Sequence, residues 1–287
     1  MHYKTSAAFR MALEERLRQR ERETGEPLVR MRKRVVFERG MARLQKTSAS
    51  PWVVKGGFAL ELRLGLRARM TKDLDLGVDM GYFGSKTLSS AVVADKLRAD
   101  LAEPHEDGFV FVVPQAHEKV LPIPGVQAFR FTVEARLDGR PFETVKVDIG
   151  IGDPMVPPLD ELKSSDLLAF AGIPAPVIRA TSRAQHFAEK VHALTRPRED
   201  SINSRVKDLA DILLLMNLGL PDPSEVGNAV NQIFIGRKSH DIPKRIENPP
   251  ATWISSFAAM AGELQLAETT PNRATTRLSQ YWATLFP

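Results

Sequence analysis

The acidic residues Asp73 and Asp75 have one residue between them and are separated by fifteen residues from the dipeptide Gly56-Gly57, and a third acid, Asp148, lies on a later segment of alternating polarity. Three carboxylates brought together make an all-oxygen donor set of the kind Mg²⁺ takes, with waters and substrate phosphates completing its shell. Such a set suits two-metal phosphoryl transfer, in which one ion acidifies the attacking hydroxyl and the other neutralises a triphosphate and its departing pyrophosphate. The glycines let backbone N–H groups come close to phosphate oxygens, and Arg69 and Lys72 add positive charge beside the acids. Taken alone, Asp73-Leu74-Asp75 also reads as a solvated strand face. The Gly-Gly turn, the flanking cations and the third acid together favour a site.

These residues meet only if strands carry them. Asp73 to Val78 alternates, with Leu74, Leu76 and Val78 on one face, so Asp73 and Asp75 share the other. In Phe142 to Ile151 the apolar face is Val145, Val147 and Ile149, which sends Lys146 and Asp148 to the opposite one. Val126 to Leu137 alternates likewise, and Asp138-Gly139 between the two segments predicts a hairpin. Trp52-Val53-Val54 reads as a short buried strand running into Lys55-Gly56-Gly57 and a helix from Phe58 to Leu66. Lys86 to Leu101 is an expected helix and Phe109 to Val113 an expected strand. Helical patterns cover 7–23 and 28–46 at the start, and no strand is evident beyond Pro154, where 183–195, 205–218, 223–235, 252–264 and 273–285 read as helices. The expected fold is α+β: a mixed sheet of about five strands flanked by helices. It divides into a basic helical segment at 1–47, a core at 48–157 and a helical domain at 158–287 closing a cleft.

With 287 residues, 43% of them hydrophobic and 26% charged, the chain is long enough to bury a sizeable core. The absence of cysteine excludes disulfides, thiolate zinc sites and iron–sulfur clusters. Apolar runs such as Ile212 to Met216 fall far short of the roughly 20 residues a membrane helix needs, and nothing resembling a signal peptide opens the chain, so a cytoplasmic protein without a membrane span is expected. No P-loop, nucleophile elbow or H-E-x-x-H pair occurs. Residues 1–46 hold 13 Lys/Arg against 6 Asp/Glu, and Arg179 to Lys207 hold seven against three. Arg16, Arg18, Arg20 and Arg22, with Arg30, Arg32, Lys33 and Arg34, read either as an RNA-facing surface or as helix faces paired with interleaved glutamates. Asp79, Asp107 and Asp153 read as turn acids, and the histidines, His186 and His192 included, as surface or hydrogen-bonded residues.

Lys55-Gly56-Gly57-Phe58-Ala59-Leu60, Arg69 through Leu76, Val145-Lys146-Val147-Asp148-Ile149 and Arg205-Val206-Lys207-Asp208-Leu209-Ala210-Asp211 together resemble the AbiEii family of nucleotidyltransferase toxins, which includes the mycobacterial MenT toxins. The resemblance covers roughly Trp52 to Met216, and the Gly-Gly to Asp-x-Asp spacing is common to the DNA-polymerase-β-like superfamily. It implies a nucleotidyltransferase core and an enzyme that moves a nucleotide from an NTP, with Mg²⁺, onto an RNA acceptor, in some members the 3′ end of tRNA. It also implies a toxin–antitoxin system with an AbiEi-type antitoxin. Residue by residue, Asp73 and Asp75 match the metal pair and Thr71 the hydroxyl residue preceding it. Lys190 matches the lysine expected on the triphosphate, and either Asp208 or Asp211 a later site acid. Asp148 would complete a second metal position or serve as base. Gly56, Gly57, Thr71, Lys72, Lys190 and Asp208 are the expected nucleotide-binding residues; Asp73, Asp75, Asp148, Lys190 and Asp211 the catalytic ones. Where many superfamily members have Gly-Ser, Gly57 is followed by Phe58, so that phosphate contact falls to backbone or to Thr71. Lys190 also reads as a surface lysine, and Asp208 and Asp211 as a local ion-pair network. Two other functions fit the same residues: transfer to a small molecule or protein hydroxyl, and a non-enzymatic nucleic-acid-binding regulator.

Overall fold

The computed structural model describes residues 2–79, 81, 89–114, 119–121, 127–197 and 205–287. Its elements run α1 (Ser6–Thr24), α2 (Leu28–Leu44), β1 (Trp52–Lys55), α3 (Gly56–Leu64), β2 (Asp73–Val78), α4 (Ser90–Leu101), β3 (Phe109–Val112), β4 (Lys119–Leu121), β5 (Gln127–Leu137) and β6 (Arg140–Ile151). β7 (Asp160–Lys163) and β8 (Val177–Ala180) follow, then α5 (Arg183–Thr195), α6 (Val206–Leu218), α7 (Pro223–Arg237), α8 (Ile254–Glu263) and α9 (Pro271–Leu285). The fold is α+β, as expected. Lys86 and Val126, the expected starts of α4 and β5, lie outside the described residues. Helices begin where a hydroxyl stands ready: Thr5, Ser89, Ser182 and Thr270 accept hydrogen bonds from the first-turn N–H groups of α1, α4, α5 and α9.

Asp138 and Gly139 both take positive φ, 57° and 66°, the conformation a tight hairpin demands, and β5 and β6 pair along eleven positions with one register shift between Ala135 and Arg136. The sheet order is β3-β5-β6-β2-β1-β8-β7, with β4 also on β5. β6–β2 and β1–β8 are parallel and the remaining pairs antiparallel. Among the described residues eight strands replace the five or so expected. β7 and β8 lie in the stretch beyond Pro154 that shows no strand pattern, because four-residue strands leave too little alternation to detect.

One hydrophobic core joins the apolar face of the sheet (Leu74, Leu76, Phe131, Val145, Val147, Ile149) to α1, α2 and α4 through Phe9, Leu13, Val36, Phe37 and Leu97. A second is built from α5 to α9 around Phe187, Leu213, Ile233 and Trp282. Helix α3 serves both: Phe58 and Ala59 enter the first core, Leu60 and Leu64 the second. Its N-terminus is therefore held from two sides. No helix among the described residues is long and apolar enough to cross a membrane.

The expected basic surface of 1–46 is partly turned inward. Arg30 and Arg34 are buried on Glu61 (3.1 and 2.8 Å), with Glu26 beside them, and Arg43 is buried on Asp107 at 2.6 Å. Arg32 bonds Glu14 and the Phe142 carbonyl. Asp107 is thus no solvated turn acid. Arg16, Arg18 and Arg22 on α1 remain exposed. In the second basic stretch Arg179 is spent on the carbonyls of Ser48 and Ser50 and Arg183 on that of Gly219, while Arg198 lies outside the described residues.

Candidate active site

Four neighbouring strands carry one charged row across the sheet. Arg130 on β5 lies opposite Asp148 on β6, Asp148 beside Asp75 on β2, and Asp75 opposite Lys55 at the end of β1. Asp73 sits two residues down β2 beside Lys146, which bonds Thr132. The side-chain period of two puts all of these on the face away from the first core. The expected convergence of Asp73, Asp75 and Asp148 is thereby seen. A single guanidinium nitrogen, Nη2 of Arg130, touches both Asp148 (2.6 Å) and Asp73 (3.1 Å).

The Gly-Gly turn allows this packing. Gly56 has φ +62°, and a Cβ there would fall 2.1 Å from Asp75 Oδ2; one on Gly57 would fall 2.6 Å from Thr71 Oγ1. Any side chain at either position would push α3 away from β2. No side chain caps the N-terminus of α3, so its first N–H groups and the positive end of its dipole lie against the Asp75 carboxylate. Burial, and next the Asp148 carboxylate, push the Asp75 carboxyl up to about 6 despite Lys190 and Lys55 nearby. Thr71 is buried and its hydroxyl donates to the Asp73 carbonyl at 3.1 Å. Lys72 is exposed, its carbonyl accepting from Lys33 Nζ.

Helices α5 and α6 supply a second cluster. Lys190 Nζ lies 2.9 Å from Asp208 and 2.7 Å from Asp211, and Arg69 grips Asp211 with two bonds of 2.9 Å. Asp208 and Asp211 thus both reach Lys190, and the surface-lysine reading is removed: its side chain is 12% exposed. Burial opposes the charge on Lys190 and on Asp211. Their partners outweigh it, holding the ammonium above and the carboxyl below their ordinary ranges.

A third cluster lies behind β1. Lys55 pairs with Asp153 and with Glu189 (3.2 Å), and Arg237 holds Asp153 with two bonds of 2.7 Å. Asp153 is therefore a buried junction between the sheet and α5 and α7, not a turn acid. His186 and His192 are buried too. His192 bonds Ser239 (2.8 Å), and burial, then Arg237, lower it to about 3. His186 has no hydrogen-bond partner on Nε2. Arg130 escaped the sequence reading, and Lys55, though part of the Gly-Gly motif, and Glu189 were given no site role there. Arg130 shares the parity of the polar face of β5, which was the available signal.

A family model described as the nucleotidyl transferase AbiEii toxin of type IV toxin–antitoxin systems matches residues 39–285. The chain belongs to the AbiEii family. As an AbiEii chain it is a toxin-type nucleotidyltransferase, and the type IV system implies a nucleotide substrate and an antitoxin partner. Its fold resembles that of MenT4, a nucleotidyltransferase toxin from Mycobacterium tuberculosis H37Rv, with a TM-score of 0.59 at 16% identity over 95% of this chain and 98% of that one. An antigenic nucleotidyltransferase-like protein from Paracoccidioides brasiliensis, also 16% identical, aligns over 65% of this chain and 80% of that one with a TM-score of 0.36. No curated protein is significantly similar in sequence.

Proposed function

We propose that this AbiEii chain transfers a nucleoside monophosphate from an NTP to a hydroxyl of RNA, the 3′ end of tRNA being the preferred acceptor, with Asp73, Asp75 and Asp148 holding Mg²⁺. The observation that carries the reading is the convergence of these acids from two adjacent parallel strands onto the uncapped N-terminus of α3. Among the described residues no three His, Asp or Glu side chains enclose a metal position as they stand, and Arg130 lies between Asp73 and Asp148. The donor set nevertheless fits the ion. It consists of hard oxygens, and three carboxylates against one hydrogen-bonded guanidinium leave a negative excess equal to the charge of one divalent cation. When bound, Mg²⁺ supplies neutralisation of the triphosphate and a more acidic attacking hydroxyl.

The chain's own groups do the rest. The N–H groups at Gly56 and Gly57, aligned with the α3 dipole, offer an anion site beside Asp75. Lys190 has three N–H donors, and its two acidic partners leave one for a triphosphate oxygen. Asp208 and Asp211 orient that ammonium. Exposed Lys72 and Lys146, with half-buried Lys33, rim Asp73 and would carry the phosphates of an RNA acceptor. The setting is cytoplasmic, and an AbiEi-type antitoxin is the proposed partner. Incubation with each labelled NTP, Mg²⁺ and total RNA tests the reading. Label on tRNA-sized RNA is expected, and none when EDTA is present from the start of the incubation. Label only on small molecules or protein would overturn the RNA acceptor, and no transfer under any condition would overturn the enzyme.

A further inference from the structure

We propose that Arg130 is the resident counter-cation of the acid cluster, which a divalent ion must displace, and that the released guanidinium then binds the phosphates of the incoming nucleotide. This rests on the reading of Asp73, Asp75 and Asp148 as metal ligands. Arg130 Nε and Nη2 reach the two oxygens of Asp148 at 2.6 Å each, and Nη2 also reaches Asp73 Oδ2 at 3.1 Å. Those oxygens are the ones a cation would use. Among the described residues Arg130 is the one cation hydrogen-bonded to Asp73 or Asp148. Lys55, Lys190 and Arg69 are committed to Asp153 and Glu189, to Asp208 and Asp211, and to Asp211.

Arg130 is also free to leave. Its side chain is 35% exposed, it hydrogen-bonds nothing but these two acids, and it projects from the open face of β5 between the buried Phe129 and Phe131. A bare divalent ion must break three charge-assisted bonds to enter and leaves the guanidinium without a partner. A nucleotide-bound ion brings phosphate oxygens whose geometry matches the guanidinium fork. Cation entry is thereby tied to nucleotide entry, and by linkage each raises the affinity of the other. The acid cluster then avoids idle occupation by metal alone, and the same side chain that shields the acids becomes a contact that recognises the triphosphate.

The test is Mn²⁺ binding to the full chain, followed by the electron paramagnetic resonance signal of the free ion, without nucleotide and with a non-hydrolysable NTP analogue. Wild type should bind Mn²⁺ weakly alone and at least about tenfold more tightly with the analogue. Arg130→Gln should bind Mn²⁺ alone about tenfold more tightly than wild type and lose most of the gain from the analogue. Arg130→Lys, which keeps a point charge but not the bidentate fork, should fall between and guards against misfolding of the Gln variant, with melting curves run on both. Arg130 variants that bind Mn²⁺ alone no more tightly than wild type would overturn the proposal while leaving the metal ligands in place. Mn²⁺ binding unchanged in Asp73→Asn would instead overturn the ligand reading, and this inference with it.

Discussion

The two charged clusters that face one another at the cleft are built on opposite principles. At the helices, Lys190, Arg205 and, from the segment before β2, Arg69 surround Asp208 and Asp211, so that each acid is paired, with Asp211 fully buried and bonded by both Lys190 and Arg69. On the sheet, Asp73 and Asp148 share Arg130 as their one hydrogen-bonded cation among the described residues, and burial, with the Asp148 carboxylate next, raises the Asp75 carboxyl beside them. A buried cluster whose acids are all paired needs no ion to neutralise them, and removing one acid leaves an uncompensated charge. An unbalanced one at an open face is poised to take up opposite charge. Under the proposed function the helical cluster is the frame that presents Lys190 to the triphosphate and the sheet cluster the reactive element, although the two contain the same residue types.

The largest expected effect separates them by activity. Asp73→Asn should reduce nucleotide transfer by about 10³-fold, since a charged ligand oxygen is lost where charge develops, while its melting curve moves little: Asp73 is 35% exposed and Arg130 keeps both bonds to Asp148. Stability separates them the other way. Asp211→Asn leaves Arg69 and Lys190 short of a partner and should cost about 3–5 kcal/mol in urea denaturation, against about 1 kcal/mol or less for Asp73→Asn. Equal losses for the two variants would break the distinction between frame and reactive element.

Glu38 sharpens the comparison by showing what an unbalanced acid does where no ion can enter. It is buried on α2, accepts from the N–H and hydroxyl of Ser165 at 2.9 and 2.6 Å, and burial pushes it up to about 7 against those bonds and against Arg34 and Arg39. It therefore takes a proton in place of a metal. The proton is bound more tightly in the folded than in the unfolded chain, so Glu38 contributes stability below the unfolded carboxyl range near 4.5 that is lost as pH rises through about 7. Glu38→Gln keeps an acceptor for Ser165 without the charge. Its melting temperature should exceed that of wild type at pH 8 and converge with it at pH 5, the difference corresponding to up to about 3 kcal/mol. A gap that does not change with pH would assign Glu38 an ordinary ionised state.

Much of the sheet cluster was legible because strands report their faces with a period of two: Leu74 and Leu76 place Asp73 and Asp75, and Val147 and Ile149 place Asp148. The Gly-Gly turn was legible because only glycine tolerates an acid and a threonine at the distances found here. Arg130 was not. A regular two-residue hairpin at Asp138-Gly139 would set it opposite Val147, and it is the register shift near Ala135 and Arg136 that moves it onto Asp148. The helical cluster was half legible: Lys190, Asp208 and Asp211 lie on recognisable helices, but nothing local says that Arg69 reaches Asp211 across 142 positions. For the same reason the N-terminal arginines read as surface. Glu61 and Asp107, the acids that bury Arg30, Arg34 and Arg43, are tens of residues away, and charge pairing at that separation leaves no periodic trace.

The smallest expected effect follows from that correction. With Arg30, Arg34 and Arg43 internal, an RNA acceptor must be held by the cations that remain outside and near Asp73, foremost Lys72 and Lys146. Each phosphate they neutralise releases counterions, so acceptor affinity should fall as salt rises, and each lost contact should flatten the logarithmic slope by about 0.7 for single-stranded RNA. Lys72→Gln and Lys146→Gln should each produce a flattening of that size with little change in melting temperature, since among the described residues Lys72 makes no side-chain bond and Lys146 only one, to Thr132. Arg18→Gln on exposed α1, away from the row of acids, serves as the contrast and should leave the slope unchanged. A flattening by Arg18→Gln and none by the lysines would move the acceptor path from the rim of the sheet cluster to the N-terminal helix.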